Sequence, residues 1–90
     1  MFKELEYIIK MIRERKTSSN SDSYTSRLLN DKNLSVAKVK EEIEELIEAV
    51  DNNSNKIHES ADVFFHLLVY LELNDVKIED VMLELKKRQK

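Results

Sequence analysis

The sequence predicts an all-α fold, and three observations carry that prediction. The chain contains no glycine and no proline, the residues on which sheets depend for tight hairpins and bulges. Its 41% hydrophobic and 37% charged residues are interleaved, with apolar side chains recurring every three or four positions, the period of an amphipathic helix. The segments that break this period are short and polar, which suits turns between helices.

The elements follow in order. From Phe2 to about Arg15, the residues Phe2, Leu5, Ile8, Ile9, Met11 and Ile12 form one stripe of a first helix. The polar stretch from Lys16 to Ser23 breaks it and has the composition of a mobile loop; "YTSRLL" then reads as a short helical segment before "NDKN". Ser35 is the expected N-cap of the next helix, which runs to about Val50. "DNNSN" is a turn short enough to fold the flanking helices into an antiparallel hairpin. A further helix is expected from about Lys56 to Leu73, and a last one from about Ile78 to Arg88, with Val81, Met82 and Leu85 facing inward and basic residues near its end. There is no internal repeat, and residues 1–90 are expected to form one domain. So short a chain buries a modest share of its surface, which favours self-association.

Composition also narrows the chemistry. Without glycine there is neither a Walker phosphate loop nor a dinucleotide fingerprint, both of which bring backbone close to phosphate. Without cysteine there is no disulfide framework or thiolate metal site. The opening "MFKELEYIIK" is interrupted by Lys3, Glu4 and Glu6, unlike the apolar core of a signal peptide, and no apolar run reaches membrane length. A cytoplasmic protein without a membrane partner is therefore expected. A net charge of −3 argues against nonspecific nucleic-acid binding, which draws on Lys and Arg to neutralise phosphates. A phosphorylated ligand would need a local basic cluster, such as Arg13, Arg15 and Lys16, or a bound divalent metal.

The segment "KVKEEIEELIEAV", Lys38 to Val50, carries five glutamates, more like charge than a merely wetted helix face requires. At helical pitch Val36, Val39, Ile43, Leu46, Ile47 and Val50 share an apolar sector; Glu42 and Glu45 lie at its edge, Glu41 shares a face with Glu45, and Glu44 and Glu48 point to solvent. The following helix, "IHESADVFFHLLVYLEL", is apolar almost all round. Its Glu59, Asp62 and His66 share one face, an expensive place for charge unless it is paired or metal-bound. The hairpin allows Glu41, Glu42 and Glu45 to face Glu59 and Asp62, with only Lys38 and Lys56 nearby as counter-charge. A hard divalent cation is the economical explanation, and all-oxygen ligation points to Mg²⁺ or Mn²⁺. His66 reads as a satisfied core histidine rather than a ligand, and Phe64 and Phe65 as core.

These residues resemble a known pattern. E-E-x-x-E at Glu41, Glu42 and Glu45, followed by E-x-x-D at Glu59 and Asp62, is similar to the MazG-like all-α nucleotide pyrophosphohydrolases. "SYTSRLL", "KVKEEIEELIEAV", "HESADVFFHLLVYL" and "IEDVMLELKKR" together resemble the phosphoribosyl-ATP pyrophosphohydrolase family of histidine biosynthesis over nearly the whole chain. The resemblance implies Mg²⁺-assisted splitting of phosphoribosyl-ATP into phosphoribosyl-AMP and pyrophosphate by a homodimer whose helices complete one bundle. It further implies Glu42, Glu45, Glu59 and Asp62 as metal ligands, and Glu41 as a further ligand or the group that orients the attacking water, so that Glu41 and Glu42 are the candidate catalytic pair. Lys38 and the Ser23, Tyr24, Thr25 segment become candidate substrate contacts. Two departures are visible: Lys40 and Ile43 stand where the family often has small residues, and "SNSDSYT" where it often has proline and glycine before the tyrosine. Two alternatives stay open: a relative acting on other nucleoside triphosphates, and a non-catalytic helical dimerisation module.

Overall fold

The computed structural model describes residues 2–17 and 23–89. Five helices follow in order: α1 (Lys3–Thr17), α2 (Tyr24–Leu29), α3 (Lys32–Asn52), α4 (Lys56–Leu73) and α5 (Ile78–Lys87), with no strand among the described residues. The fold is all-α. Of the loop expected from Lys16 to Ser23, residues 18–22 lie outside the described residues.

α3 and α4 form the expected hairpin and pack along each other; α4 also touches α1, α2 and α5, so it is the hub of the molecule. The hairpin closes without glycine. Asn53 sits in the left-handed region at φ 53°, with Ser54 N–H bonded to Ala49 O (3.0 Å) and Asn53 N–H to Val50 O (3.2 Å). Asp75 at φ 59° ends α4 in the same way, through Val76 N–H to Leu71 O (2.9 Å) and Asp75 N–H to Glu72 O (3.1 Å). Both are Schellman closures, and Asn and Asp are the residues that best tolerate this backbone when glycine is absent.

The core is small: Ile12 from α1, Leu28 and Leu29 from α2 and Val69 from α4, with Ile8, Met11, Leu34, Phe65, Leu68 and Leu73 packed around them. Each fully buried aliphatic side chain here contributes about 1.5–3 kcal/mol. α2 is only one and a half turns long, yet four of its residues (Thr25, Ser26, Leu28, Leu29) are buried, because it plugs the space among α1, α3 and α4.

Three expectations need correction. The N-cap of α3 is Asp31, whose carboxylate accepts from Leu34 N–H at 3.0 Å; Ser35 lies within the helix and is buried. The polar "NDKN" is thus mostly helix start, with the stronger capping residue four positions earlier than expected. In α5, Val81 is half-buried, but Met82 and Leu85 are 50% and 55% exposed, since this helix lies close only to α4 and meets α1 through the Arg13–Glu79 ion pair. Of the two phenylalanines expected in the core, Phe65 packs against it but Phe64 is 61% exposed, because it lies on a face of the hairpin that no other described helix covers, together with Ile43, Ile47 and Val50 on α3 and Ile57 and Leu67 on α4. No described helix is long and apolar enough to cross a membrane.

Candidate metal centre

The long α3 and the start of α4 place the acidic residues. Their antiparallel packing brings Glu42 and Glu45 of α3 against Glu59 of α4, one carboxylate oxygen from each lying within 4.8 Å of the others. Glu42 is 6% exposed, and its Oε2 has no hydrogen-bond partner among the described residues; Oε2 of Glu59 is also buried without one. Leaving such an atom unsatisfied costs more for a carboxylate than for a neutral group. Burial, then the Glu45 and Asp62 carboxylates, pushes the Glu42 carboxyl above its ordinary range, against the opposing pull of His66 and Lys38. Glu59 is pushed up by burial and by Glu45 beside it.

A second triplet shares Glu59: His58, Glu59 and Asp62 also offer atoms within 4.8 Å of one another. His58 Nε2 stands 3.4 Å from Asp62 Oδ2. Asp62 therefore belongs to the outer side of the cluster, while remaining within electrostatic reach of Glu42.

The cations are few. Lys38 Nζ donates to Glu41 Oε2 at 2.9 Å and lies 3.7 Å from Glu42 Oε1. Lys56 turns away and donates to Asn53 Oδ1 at 2.6 Å. One ammonium thus faces Glu41 and Glu42, with none on Glu45 or Glu59 among the described residues. The orphaned buried oxygens and the all-carboxylate donor set of Glu42, Glu45 and Glu59 fit a hard divalent cation.

Glu41 is exposed and stands apart from the converging triplet, held by Lys38. Glu44 and Glu48 are exposed. Of the expected substrate contacts, Ser23 caps α2, its Oγ accepting from Ser26 N–H at 3.1 Å. Thr25 is buried. Tyr24, partly exposed, lies within the electrostatic field of Lys38, Glu42 and Glu41, which puts it at the rim of the cluster. Its hydroxyl meets His66 Nε2 at 2.8 Å, and His66 Nδ1 meets Asp62 O at 2.7 Å. His66 is a core histidine with both nitrogens occupied.

The profile of the phosphoribosyl-ATP pyrophosphohydrolase family matches residues 5–89. The chain belongs to the phosphoribosyl-ATP pyrophosphohydrolase family of enzymes. It is 37% identical over 90 residues to the phosphoribosyl-ATP pyrophosphatase of Haloarcula marismortui, covering 94% of this chain and 92% of that protein. To the phosphoribosyl-ATP pyrophosphatase of Methanoregula boonei it is 44% identical over 85 residues, covering 89% of this chain and 82% of that protein. To the histidine biosynthesis trifunctional protein of Kluyveromyces lactis it is 46% identical over 72 residues, 80% of this chain but only 9% of that much longer protein.

Within this phosphoribosyl-ATP pyrophosphohydrolase family member, the residue that sequence reasoning passed over is His58. The signal was its spacing: four positions before Asp62 and adjacent to Glu59, it shares the turn of α4 that presents both carboxylates.

Proposed function

We propose that the protein hydrolyses phosphoribosyl-ATP to phosphoribosyl-AMP and pyrophosphate in histidine biosynthesis, as a cytoplasmic homodimer in which residues 1–90 form a single domain. The observation that carries the reading is the pair of buried, partnerless oxygens on Glu42 and Glu59, converging with Glu45. Family membership supplies the substrate class, matching the names of the Haloarcula and Methanoregula relatives.

Glu42, Glu45 and Glu59 would hold Mg²⁺, with Mn²⁺ as a substitute, and Asp62 would complete the set from the outer side. Bound there, the ion would supply counter-charge for the polyphosphate and make the attacking water more acidic. The rest falls to the protein. Glu41, next to Glu42 but outside the converging triplet, orients the water and takes its proton, while Glu42 acts from within the ligand set. Lys38, which already faces Glu41 and Glu42, exchanges part of that pairing for a substrate phosphate. Tyr24 borders the nucleotide on the α2 side; Ser23 and Thr25 hold the backbone that presents it, one as cap and one as buried packing.

The homodimer is supported by the uncovered apolar stripes of the hairpin, where Ile57 is 88% and Phe64 61% exposed, more apolar surface than a stable monomer usually shows in one region. A second copy covering α3 and α4 would bury them. Light scattering should report twice the monomer mass, and Phe64→Glu should shift it to the monomer.

The test of the reaction is pyrophosphate release from phosphoribosyl-ATP, set against ATP and other nucleoside triphosphates, with and without Mg²⁺. Mg²⁺-dependent release from phosphoribosyl-ATP alone is expected; release from ordinary triphosphates instead would move the protein to the other substrate class, and no release from any would refute the enzymatic reading.

A further inference from the structure

His66 lies inside the molecule, 6% exposed, one turn beyond Asp62 on α4. Its two ring nitrogens join two parts of the site that the chain connects only through the whole of α3. Nδ1 is 2.7 Å from the Asp62 carbonyl oxygen. A carbonyl can only accept, so Nδ1 carries the hydrogen and donates it. In the neutral ring Nε2 is then an acceptor, and the Tyr24 hydroxyl at 2.8 Å is its donor. The direction of both hydrogen bonds is thereby fixed: Tyr24 O–H to His66 Nε2, and His66 Nδ1–H to Asp62 O.

The surrounding rings reinforce the arrangement. Tyr24 stacks on Phe65 with centroids 6.5 Å apart and planes inclined by 21°. His66 stands edge-on to both, 5.7 Å from Tyr24 at 75° and 5.2 Å from Phe65 at 88°. Offset and edge-to-face geometries of this kind are the favoured ones for aromatic pairs. The Tyr24 ring thus has a platform and its hydroxyl has an anchor, although the residue as a whole is 41% exposed. A side chain used only for packing has no need of a buried histidine oriented from its other nitrogen. Tyr24 also opens α2, directly after Ser23, so fixing its hydroxyl fixes the start of that short helix against α4.

We propose that His66 is a positioning residue: oriented by the Asp62 carbonyl, it anchors the Tyr24 hydroxyl, so that the Ser23 to Thr25 segment stands at a set place beside the carboxylate cluster when substrate binds. The inference rests on the site reading given above and deepens it. His66 acts through Tyr24 and touches neither substrate nor metal. The anchor therefore governs how well the nucleotide is aligned, and the ion's ligands are independent of it.

Two variants of His66 separate its two bonds. Asn reproduces the Nδ1 donor but does not reach Tyr24; Gln places its amide near the former Nε2 and can accept from the hydroxyl. The experiment compares the wild type with His66→Asn, His66→Gln, Tyr24→Phe and the double variant His66→Asn with Tyr24→Phe. It measures kcat and KM for phosphoribosyl-ATP, Mn²⁺ affinity by electron paramagnetic resonance, and amide hydrogen exchange at Ser26 and Arg27. Tyr24→Phe and His66→Asn should each lower kcat/KM about tenfold, the order expected for one neutral hydrogen bond, and the double variant should fall no further than either single one. His66→Gln should recover most of the loss, and Mn²⁺ affinity should hold in all. Additive losses, unchanged kcat/KM in both single variants, or a loss of Mn²⁺ affinity in His66→Asn would overturn the proposal. A wild type that does not turn over refutes the reaction instead. The anchor is then read from exchange alone: equal acceleration at Ser26 and Arg27 in both single variants and the double supports it, and no acceleration overturns it.

Discussion

The two ends of α4 treat negative charge in opposite ways. At its C-terminal end Arg13 clasps Glu79 through both guanidinium nitrogens, Nη1 to Oε2 at 2.8 Å and Nη2 to Oε1 at 2.5 Å, and reaches Glu72 at 3.5 Å. Lys16 meets Asp75 at 2.6 Å and the Glu72 carbonyl at 2.7 Å. Each of these acids has a cation, and Arg13 and Lys16 of the candidate phosphate-binding cluster are already engaged. About 20 Å away along the helix, Glu42, Glu45 and Glu59 converge, and among the described residues Lys38 at the edge is the one ammonium beside them. The acids at one end are fully paired, whereas those at the other share a single ammonium and are partly buried, and the proposed function assigns the second group to a cation that the chain does not itself provide.

The largest expected effect comes from breaking the unpaired end. Glu42→Gln, Glu59→Gln and Asp62→Asn should each lower pyrophosphate release on the order of 10²–10⁴-fold, yet leave the metal-free fold intact or firmer in thermal melts, because each removes repulsion among crowded carboxylates. Unfolding of Asp62→Asn would instead reveal a structural ion pair with His58. Glu79→Gln, at the paired end, should do the reverse: turnover holds and the melting midpoint falls.

Metal should sharpen the contrast. At about a hundredfold excess over its dissociation constant, a divalent ion that binds only the folded state stabilises by about 2.7 kcal/mol. The wild type and Glu79→Gln should show that gain in chemical denaturation, whereas Glu42→Gln and Glu59→Gln should lose most of it.

The pH dependence should differ in sign. Arg13 holds the Glu79 carboxyl at about 2, below its ordinary 4.5, so that ion pair contributes stability above about pH 4.5 and is lost as the pH falls toward 2. Glu42 and Glu59 are raised above 4.5. Without metal their charged forms cost stability, and acidification through their raised values toward 4.5 relieves that cost. Metal-free wild type should therefore firm slightly as the pH drops toward 4.5 and weaken below it. Glu42→Gln should flatten the first limb and Glu79→Gln the second, as read from urea midpoints across the pH series.

The smallest effect concerns the edge between the two behaviours. Glu41→Gln should reduce kcat but leave Mn²⁺ affinity as in the wild type, because Glu41 lies outside the converging triplet and accepts from Lys38.

Much of this was legible in the sequence where a local rule decides. The hairpin followed from "DNNSN" between two apolar periods, and the separation of Glu44 and Glu48 from Glu42 and Glu45 followed from a helical wheel, since pitch alone fixes which side chains share a face. What a wheel lacks is the neighbour. It set Met82 and Leu85 inward, but α5 lies close only to α4 and touches α1 through the Arg13–Glu79 ion pair, so that face remains open. Glu41 shares a face with Glu45 on the wheel, yet Lys38 three positions earlier draws it to the surface. Ser35 lost the cap of α3 to Asp31 because two capping residues four positions apart are locally alike and the choice lay with the packing that buries Ser35. His58 and the link from His66 to Tyr24 depend on which elements meet, and Tyr24 and His66 are separated by the whole of α3.

The most direct test of the central claim is a Mn²⁺ titration followed by electron paramagnetic resonance on the wild type, Glu42→Gln, Glu59→Gln and Glu79→Gln. Saturable binding is expected in the wild type and in Glu79→Gln, and its loss in Glu42→Gln and Glu59→Gln. Binding that survives both substitutions, or is absent from the wild type, would contradict the claim.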